Sequence, residues 1–441
     1  MLSRQREGTE TMPAAEGYDF DFAVAGGGPA GTSAAISLAQ RGRSVVLFER
    51  ETFPRFHIGE SLLATANDAF AQLGVAERMA AAGFPEKWGA RLITHDGASG
   101  RGVDFATASG VSRPQTYQVP RAEFDRILLE RAREAGVDVR EGHRVMACDF
   151  SADAATLDFT SADATPGRVR VRALVDATGR QGLIAKKYDL RTDEPRLANI
   201  AIFSHYSGVP LLEGDRPNDI RIVARHDSGW FWLIPISDEL MSVGVVLPKK
   251  LFLAMPEGSN DERLERAIAD TPVVAELMKN AHREWPVRVE KDFSYSASAY
   301  AGDRWILAGD AGSFLDPVFS TGVSIAMESG IEAAEELDRA LKQDRFTARQ
   351  FQAFSKRQRQ RYETFRRFVI GFYTPQFRDL FYDSDPPEHI FRAVVTVLAG
   401  RWNTNLRNRV LNRVFFALVA LQKRMRLVKA RFQRDASAGY P

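Results

Sequence analysis

Cysteine is almost absent from this chain of 441 residues, because Cys148 is the only one. A single cysteine excludes an internal disulfide and a cysteine-based zinc site, and it favours a reducing compartment, which we expect to be the cytoplasm. The chain also has almost no excess of charge of one sign, since 59 basic and 57 acidic residues leave a formal net charge of +2. The overall charge therefore gives no electrostatic argument for nucleic acid or a membrane as partner.

Long apolar runs are also missing. No stretch approaches the roughly 20 apolar residues of a spanning helix, so no transmembrane segment is expected. The N-terminal sequence MLSRQREGTETMPAAEGYD lacks the apolar core of a signal peptide, and we expect residues 1–17 to form a mobile tail. The histidines other than His57 show no metal-ligand spacing, so no metal site is predicted.

Residues 20–50 read as a strand, a glycine turn, a helix and a second strand that ends in an acid. Gly26, Gly28 and Gly31 have the GxGxxG spacing, which permits a tight turn, close approach to a pyrophosphate and packing of helix on strand. The helix N-terminus faces the phosphates, and Glu49 can accept hydrogen bonds from ribose hydroxyls. The unit predicts a dinucleotide site, NAD or FAD, to which we also assign Ala30 and Arg50.

Three later segments resemble the FAD monooxygenases and their relatives, in the order expected for that family. Residues 306–317, ILAGDAGSFLDP, resemble its GD motif, so the resemblance implies that Gly309 and Asp310 bind FAD, with Asp310 at the ribitol. Residues 174–179, LVDATG, are similar to its glycine turn beside the adenine half. Arg121 and Asp125 in RAEFDRILLERA match its RxxFDxxL segment. The resemblance favours FAD over NAD.

Two motifs resemble those of flavin-dependent halogenases. Residues 230–235, WFWLIP, match WxWxIP, which in that family bulks out the route between flavin and substrate; alternating aromatic residues in a buried core are the other interpretation. Residues 314–322, FLDPVFSTG, match FxxPxxSxG, although other FAD enzymes carry similar loops. The residues that match the first motif are Trp230, Trp232, Ile234 and Pro235. Those that match the second motif are Phe314, Pro317, Ser320 and Gly322, and Val323 follows it directly.

The second motif also predicts where halide binds. A turn rich in small residues offers backbone N–H groups that cradle an anion, so Thr321 and Gly322 are the candidate halide residues. Ser320 is a candidate catalytic residue, and Pro317, Gly322 and Val323 are candidate flavin contacts.

A third resemblance concerns halogenases that act on phenols and pyrroles. PRFHIGESLL at 54–63 and GFPEKWGA at 83–90 match that group, and the match puts Lys87 at its essential lysine. An ammonium there can polarise hypohalous acid, or an amine can be halogenated to a chloramine; the other interpretation is a solvated surface lysine. Glu60 and Ser61 are candidate residues beside the flavin. His57 could act as an acid or base, but a structural role along the flavin is at least as well supported.

One position departs from the tryptophan-specific halogenases. Those enzymes carry a glutamate immediately before the serine of FxxPxxSxG, and this chain has Phe319 there. A tryptophan substrate is therefore not expected. An electron-rich phenol or pyrrole needs less help from a base.

The C-terminal region is strongly basic. From Arg401 onward it holds ten basic residues and one acid, Asp435, and KRQRQRYETFRR at 356–367 has the same bias. Such a surface can dock an acidic acyl carrier protein or rest on a membrane, or it is a solvated helix pair that caps the active site. No recognition fold for nucleic acid accompanies the charge.

Together these features predict an α/β protein: a Rossmann-type FAD-binding fold of the monooxygenase type with an inserted antiparallel-sheet substrate domain and a helical C-terminal region. The predicted boundaries are 18–194 and 301–343 for FAD binding, 195–300 for the substrate side and 344–441 for the helices. The resemblance implies halogenation with chloride or bromide, a separate flavin reductase, and an aromatic substrate that is free or bound to a carrier. Two alternatives stay open: a hydroxylase or geranylgeranyl-type reductase, and a flavoprotein whose basic surface serves for docking.

Overall fold

The computed structural model describes residues 17–291, 294–383, 385 and 387–432. The predicted mobile tail at 1–17 therefore lies outside the described residues except for Gly17.

The strands of the described chain are β1 (Phe20–Ala25), β2 (Val45–Phe48), β3 (Glu86–Lys87), β4 (Gly89–Ile93), β5 (Gly100–Asp104), β6 (Thr116–Tyr117), β7 (Asp138–Arg140), β8 (Arg144–Phe150), β9 (Ala155–Thr160), β10 (Pro166–Asp176), β11 (Arg191–Asp193), β12 (Asn199–Ser207), β13 (Ile220–Ala224), β14 (Trp230–Pro235), β15 (Met241–Pro248), β16 (His282–Arg283), β17 (Arg288–Lys291), β18 (Tyr295–Ala297), β19 (Ala301–Gly302), β20 (Trp305–Leu307) and β21 (Ser313–Phe314). The helices are α1 (Pro29–Ala39), α2 (Ala66–Leu73), α3 (Ala76–Ala81), α4 (Arg121–Glu134), α5 (Leu183–Lys187), α6 (Lys249–Ala254), α7 (Asn260–Ala269), α8 (Pro272–Leu277), α9 (Gly322–Lys342), α10 (Gln352–Phe372), α11 (Pro375–Phe381), α12 (Glu388–Leu398) and α13 (Leu406–Met425).

The first sheet runs in the order β19-β20-β10-β1-β2-β7, with β8 and β9 added beside β10. Strand β1 pairs in parallel with both β2 and β10, and β10 pairs in parallel with β20. The carboxyl ends of these four strands meet at one edge, where ligands bind in open α/β sheets. Sequence segments far apart in the chain thus come together there, and the predicted Rossmann-type arrangement is confirmed.

Helices α1 and α9 pack closely above this sheet because both carry small residues where they meet. A Cβ on Gly330 of α9 would lie 2.2 Å from the backbone oxygen of Ala30 in α1. A Cβ on Gly31 would lie 1.8 Å from the oxygen of Gly26, which explains the third glycine of the fingerprint as a packing requirement.

The second sheet is mostly antiparallel, as predicted, with the order β16-β12-β15-β14-β13-β4-β5. Every residue of β13, β14 and β15 is buried, so both faces of the sheet are covered. Strands β4 and β5 come from residues 89–104, and β4 pairs with β13 in parallel. This sheet therefore draws on two separate segments of the chain.

The predicted helical C-terminal region is present as α10 to α13, which cover one face of the second sheet. Its core is aromatic, with Phe372, Phe377, Phe381 and Tyr382 buried together. The guanidinium of Arg378 donates hydrogen bonds to the backbone oxygens of Asp227 (3.0 Å) and Ser228 (2.5 Å), which ties this layer to the turn before β14.

Candidate functional site

A large cavity lies at the carboxyl ends of the first sheet and extends to the second sheet. Its wall includes most of the residues that the sequence predicted: Gly26, Gly28, Ala30, Glu49, Arg50, Ser61, Arg121, Trp230, Trp232, Ile234, Asp310, Pro317, Ser320, Gly322 and Val323. Five predicted residues, Gly31, Lys87, Pro235, Gly309 and Thr321, do not line this cavity. The dinucleotide fingerprint and the two halogenase motifs thus face one space.

In the glycine turn at the start of the cavity, Gly26 is required by backbone packing, whereas Gly28 leaves space for a ligand. Gly26 has φ +108°, and a Cβ there would lie 2.2 Å from the backbone oxygen of Ala177, so only glycine fits. At Gly28 the nearest atom to a Cβ is the Nη2 of Arg55 at 3.7 Å, so this position is open toward the cavity. Helix α1 begins at Pro29 without a side-chain cap, which leaves its first N–H groups available to an anion.

Glu49 follows β2 and is held at the wall by backbone donors. Its Oε2 accepts a hydrogen bond from the Gly27 N–H (2.7 Å), and its Oε1 accepts one from the Glu51 N–H (2.9 Å). A carboxylate oxygen has more than one lone pair, so the side chain can still accept from ribose hydroxyls.

Asp310 follows β20 and places its carboxylate in the cavity wall. Burial raises the pKa of this carboxyl to about 6. Among the residues that the structure describes, none donates a hydrogen bond to the carboxylate. It is therefore an acceptor available to a ligand hydroxyl in the cavity.

Arg121 begins α4 and orders the loop along the cavity. Its guanidinium donates two hydrogen bonds to Asp125 (2.8 and 2.9 Å) and one to the Ile58 oxygen (2.6 Å). Arg55 also contacts the Asp125 carboxylate, at 3.1 Å. The buried Asp125 thereby fixes two arginines and the segment that leads to Ser61.

Lys87 is buried, with 1% of its surface exposed, so the surface interpretation is wrong. Its Nζ donates hydrogen bonds to Ser61 Oγ (2.7 Å) and to the Leu62 oxygen (2.8 Å), and it lies 5.3 Å from the centre of the Phe105 ring. Burial lowers the pKa of Lys87 to about 7. Because Ser61 lines the cavity, Lys87 is one hydrogen bond behind the wall.

The two halogenase motifs are joined by a buried hydrogen-bond network. Asp316 Oδ1 accepts from the Val318 N–H (3.0 Å), and Oδ2 accepts from Asn199 (3.0 Å) and from the Tyr373 hydroxyl (2.8 Å). The Tyr373 oxygen accepts in turn from Trp230 Nε1 (2.9 Å). Burial raises the pKa of Asp316 to about 6.

The turn then leads into α9. Ser320 has φ +55°, in the left-handed region, and lines the cavity. Thr321 is 3% exposed and precedes the first residue of the helix, Gly322. Thr321 and Gly322 both line a small second pocket behind Phe314, and of these two residues Gly322 also lines the large cavity.

Sequence reasoning missed a buried pair at this wall. His205 Nε2 lies 2.8 Å from Glu60 Oε1, across 145 residues of sequence. Glu60 lines the cavity, and His205 on β12 packs against Trp285 with ring centres 4.7 Å apart. No spacing pattern signals a pair formed only by tertiary packing. Asn199 and Tyr373 were missed for the same reason.

Comparison with known proteins identifies the family. The family described as tryptophan halogenase matches residues 21–105 and 104–385. The chain belongs to this family.

Individual relatives are flavin-dependent halogenases. The chain is 36% identical over 330 residues to the 1H-pyrrole-2-carbonyl-(peptidyl-carrier protein) brominase of Pseudoalteromonas luteoviolacea, covering 73% of this chain and 78% of that protein. It is 28% identical over 426 residues to the corresponding chlorinase of Pseudomonas fluorescens, covering 92% and 94%. The structure of a triple mutant of the flavin-dependent brominase Bmp2 matches with TM-score 0.80 and 30% identity, over 90% of this chain and 99% of that one.

The protein is thus a flavin-dependent halogenase with FAD as cofactor, and the halogenase prediction is confirmed over its two alternatives. The wall fits FAD: an open Gly28 and free helix N–H groups suit the pyrophosphate, Glu49 suits a ribose, and Asp310 suits the ribityl chain. In the part of the chain that the structure describes, no helix has the length and apolar character needed to span a membrane.

Proposed function

We propose that this halogenase transfers bromine or chlorine to an electron-rich aromatic ring of the phenol or pyrrole type, carried as an acyl group on a carrier protein. Two relatives named above act on pyrrole-2-carbonyl groups bound to a peptidyl carrier protein. Phe319 supports the same substrate class. Its buried ring packs edge-on against Phe372 (5.8 Å) and Phe381 (6.2 Å), which puts an apolar surface where a base would otherwise stand.

The observation that carries the proposal is the position of Lys87 behind Ser61. When bound in the cavity, reduced FAD would supply hypohalous acid from O2 and halide. Trp230, Trp232 and Ile234 share one side of β14 and close the cavity toward the second sheet. Ser61 is the polar group at the wall that contacts the lysine directly, and it gives hypohalous acid a hydrogen-bonding route toward Lys87.

Both forms of Lys87 are chemically competent at this position. The neutral amine uses its two N–H groups for Ser61 and Leu62, which leaves its lone pair to attack the halogen of hypohalous acid. The bond between oxygen and halogen breaks, and the hydroxide takes a proton from the amine and leaves as water. The ammonium has a third N–H group, which can polarise the oxygen of hypohalous acid. A pKa of about 7 keeps both forms populated near neutral pH.

The proposal also includes a binding site for halide and a source of reduced FAD. The turn at Thr321 and Gly322, at the N-terminus of the 21-residue helix α9, offers backbone N–H groups for chloride or bromide. Ser320, in its left-handed conformation, aims this turn at the cavity. We also propose that a separate flavin reductase supplies reduced FAD in a reducing compartment, for which the single cysteine is the support.

Mass spectrometry of the product tests this function. The enzyme is incubated with pyrrole-2-carbonyl-loaded carrier protein, reduced FAD, O2 and bromide, and replacement of hydrogen by bromine is expected. Lys87→Met should retain the flavin absorption spectrum and lose at least about a hundredfold in product formation. The exposed Lys186 gives the matched control, because Lys186→Met should behave like wild type.

A gain of oxygen without halogen would contradict the proposal and identify a hydroxylase. Full bromination by Lys87→Met would remove this lysine from the chemistry.

A further inference from the structure

The outer face of α13 carries an apolar stripe with no cover among the described residues. Leu406 is 69% exposed, Val410 45%, Val414 39%, Leu421 41% and Met425 66%. With the exposed Ala417, these residues recur every three or four positions, so they form a single line along the helix. The opposite face, including Phe415, packs into the core.

The same helix exposes basic side chains together with the stripe. Arg407, Arg409, Arg413, Lys423 and Arg424 are all exposed, and the sequence of α13 contains no acidic residue. None of the five has a carboxylate within ion-pair distance among the described residues. The face therefore combines unpaired positive charge with apolar surface, a combination suited to an acidic protein partner.

The position of α13 relates this face to the chemistry. Helix α13 packs on α11 and α12, and α12 is anchored where Thr396 Oγ1 accepts from the Ser109 N–H (2.9 Å). The segment below α12 includes Phe105, whose ring lies 5.3 Å from Lys87 Nζ. The stripe is thus the outer surface of the helical layer that covers Lys87.

We infer that the α13 stripe is the docking surface for the acidic face of the carrier protein that presents the substrate, an inference that rests on the proposed function. Charge complementarity selects this occupant. A second copy of the chain would bring arginine against arginine, because α13 has no acid to pair with it. A lipid surface is disfavoured because Phe415 is buried and the half-buried Phe416 packs on Phe368, so the described helix α13 has no fully exposed aromatic side chain to enter the interface.

Binding and turnover measurements on charge-reversed enzyme test the inference. The variant Arg409→Glu/Arg413→Glu alters two exposed arginines next to the stripe, and Arg345→Glu/Arg349→Glu makes the same charge change at exposed sites between α9 and α10. The probe is a phosphopantetheinylated peptidyl carrier protein with a negative surface, titrated into the FAD-loaded enzyme by calorimetry at low and high salt. Turnover is followed with loaded carrier protein and with the small thioester pyrrole-2-carbonyl-pantetheine.

We expect the α13 variant to weaken carrier binding and raise the KM for loaded carrier by about tenfold, with turnover of the pantetheine thioester unchanged. The control variant should match wild type, and added salt should weaken wild-type binding. Equal carrier affinity of wild type and the α13 variant would overturn the inference, as would an equal loss in the control or binding of wild type to phosphatidylserine vesicles in place of the carrier. Failure of wild type to halogenate either substrate would refute the proposed function, while the calorimetric comparison would still decide the docking surface.

Discussion

Replacement of the buried lysine by methionine should make the stability of the enzyme less dependent on pH. Burial lowers the pKa of Lys87 from 10.5 to about 7. Between these two values the unfolded chain binds a proton that the folded chain does not, so the free energy of unfolding of wild type rises with pH. Below the folded pKa both states are protonated, and the folded state carries the full cost of a buried ammonium. Lys87→Met removes this pH dependence.

The magnitude follows from the two pKa values. The difference between 10.5 and about 7 corresponds to about 5 kcal/mol of destabilisation of wild type at low pH. Methionine has similar length and buries well, but it leaves Ser61 Oγ and the Leu62 oxygen without their donor, at a cost of about 1 to 3 kcal/mol each. This second cost does not vary with pH. The free energy of unfolding of Lys87→Met minus that of wild type should therefore fall by about 4 kcal/mol from pH 7 to pH 10.

Chemical denaturation at several pH values between 6 and 10, followed by circular dichroism on flavin-free protein, measures this change. Lys186→Met is the control, since its exposed side chain should give a curve parallel to that of wild type. Parallel curves for Lys87→Met and wild type would refute the reasoning, because they would mean that Lys87 titrates in the folded protein as it does in the unfolded chain.

Three further substitutions probe the cofactor and halide regions. Gly28→Ala should fold normally and bind FAD at least about tenfold more weakly, because the new methyl group enters the cavity. Gly26→Ala should destabilise even the flavin-free protein, because its methyl group would contact a backbone oxygen and its φ is positive. Thermal denaturation and FAD titration distinguish the two outcomes. Tyr373→Phe should lower the free energy of unfolding by about 1 to 3 kcal/mol and raise the KM for bromide, because Trp230 Nε1 loses its acceptor and Asp316 loses a donor. An unchanged bromide KM would show that the network does not support the halide turn.

The parts of the site that could be predicted from sequence are those encoded within one local unit. The glycine turn, α1 and Glu49 belong to one continuous strand-helix-strand segment, so spacing alone places them together. The halogenase motifs are similarly compact, and family resemblance placed them at the flavin. The structure shows that the residues of these motifs on β14 and at the start of α9 line the same cavity as the glycine turn.

The remainder depends on tertiary packing that no periodicity reveals. His205 meets Glu60 only because β12 crosses behind the cavity wall. The neighbouring Glu86 is exposed, so the local sequence pattern predicts that Lys87 is exposed as well. Lys87 is buried because it pairs opposite Thr116 and because the helical C-terminal layer covers it. Strands β4 and β5 join the second sheet through a parallel contact with a strand more than 100 residues away.

The most direct test of the central claim, that hypohalous acid reaches the substrate by way of Lys87, is to compare its fate in wild type and in Lys87→Met. Both enzymes receive reduced FAD, O2, bromide and loaded carrier, and a small scavenger in solution reports hypohalous acid that escapes. The account predicts that Lys87→Met still halogenates the scavenger, to at least the wild-type extent, while brominated carrier product falls by at least about a hundredfold. Undiminished product from Lys87→Met, with no increase in scavenger halogenation, would contradict it.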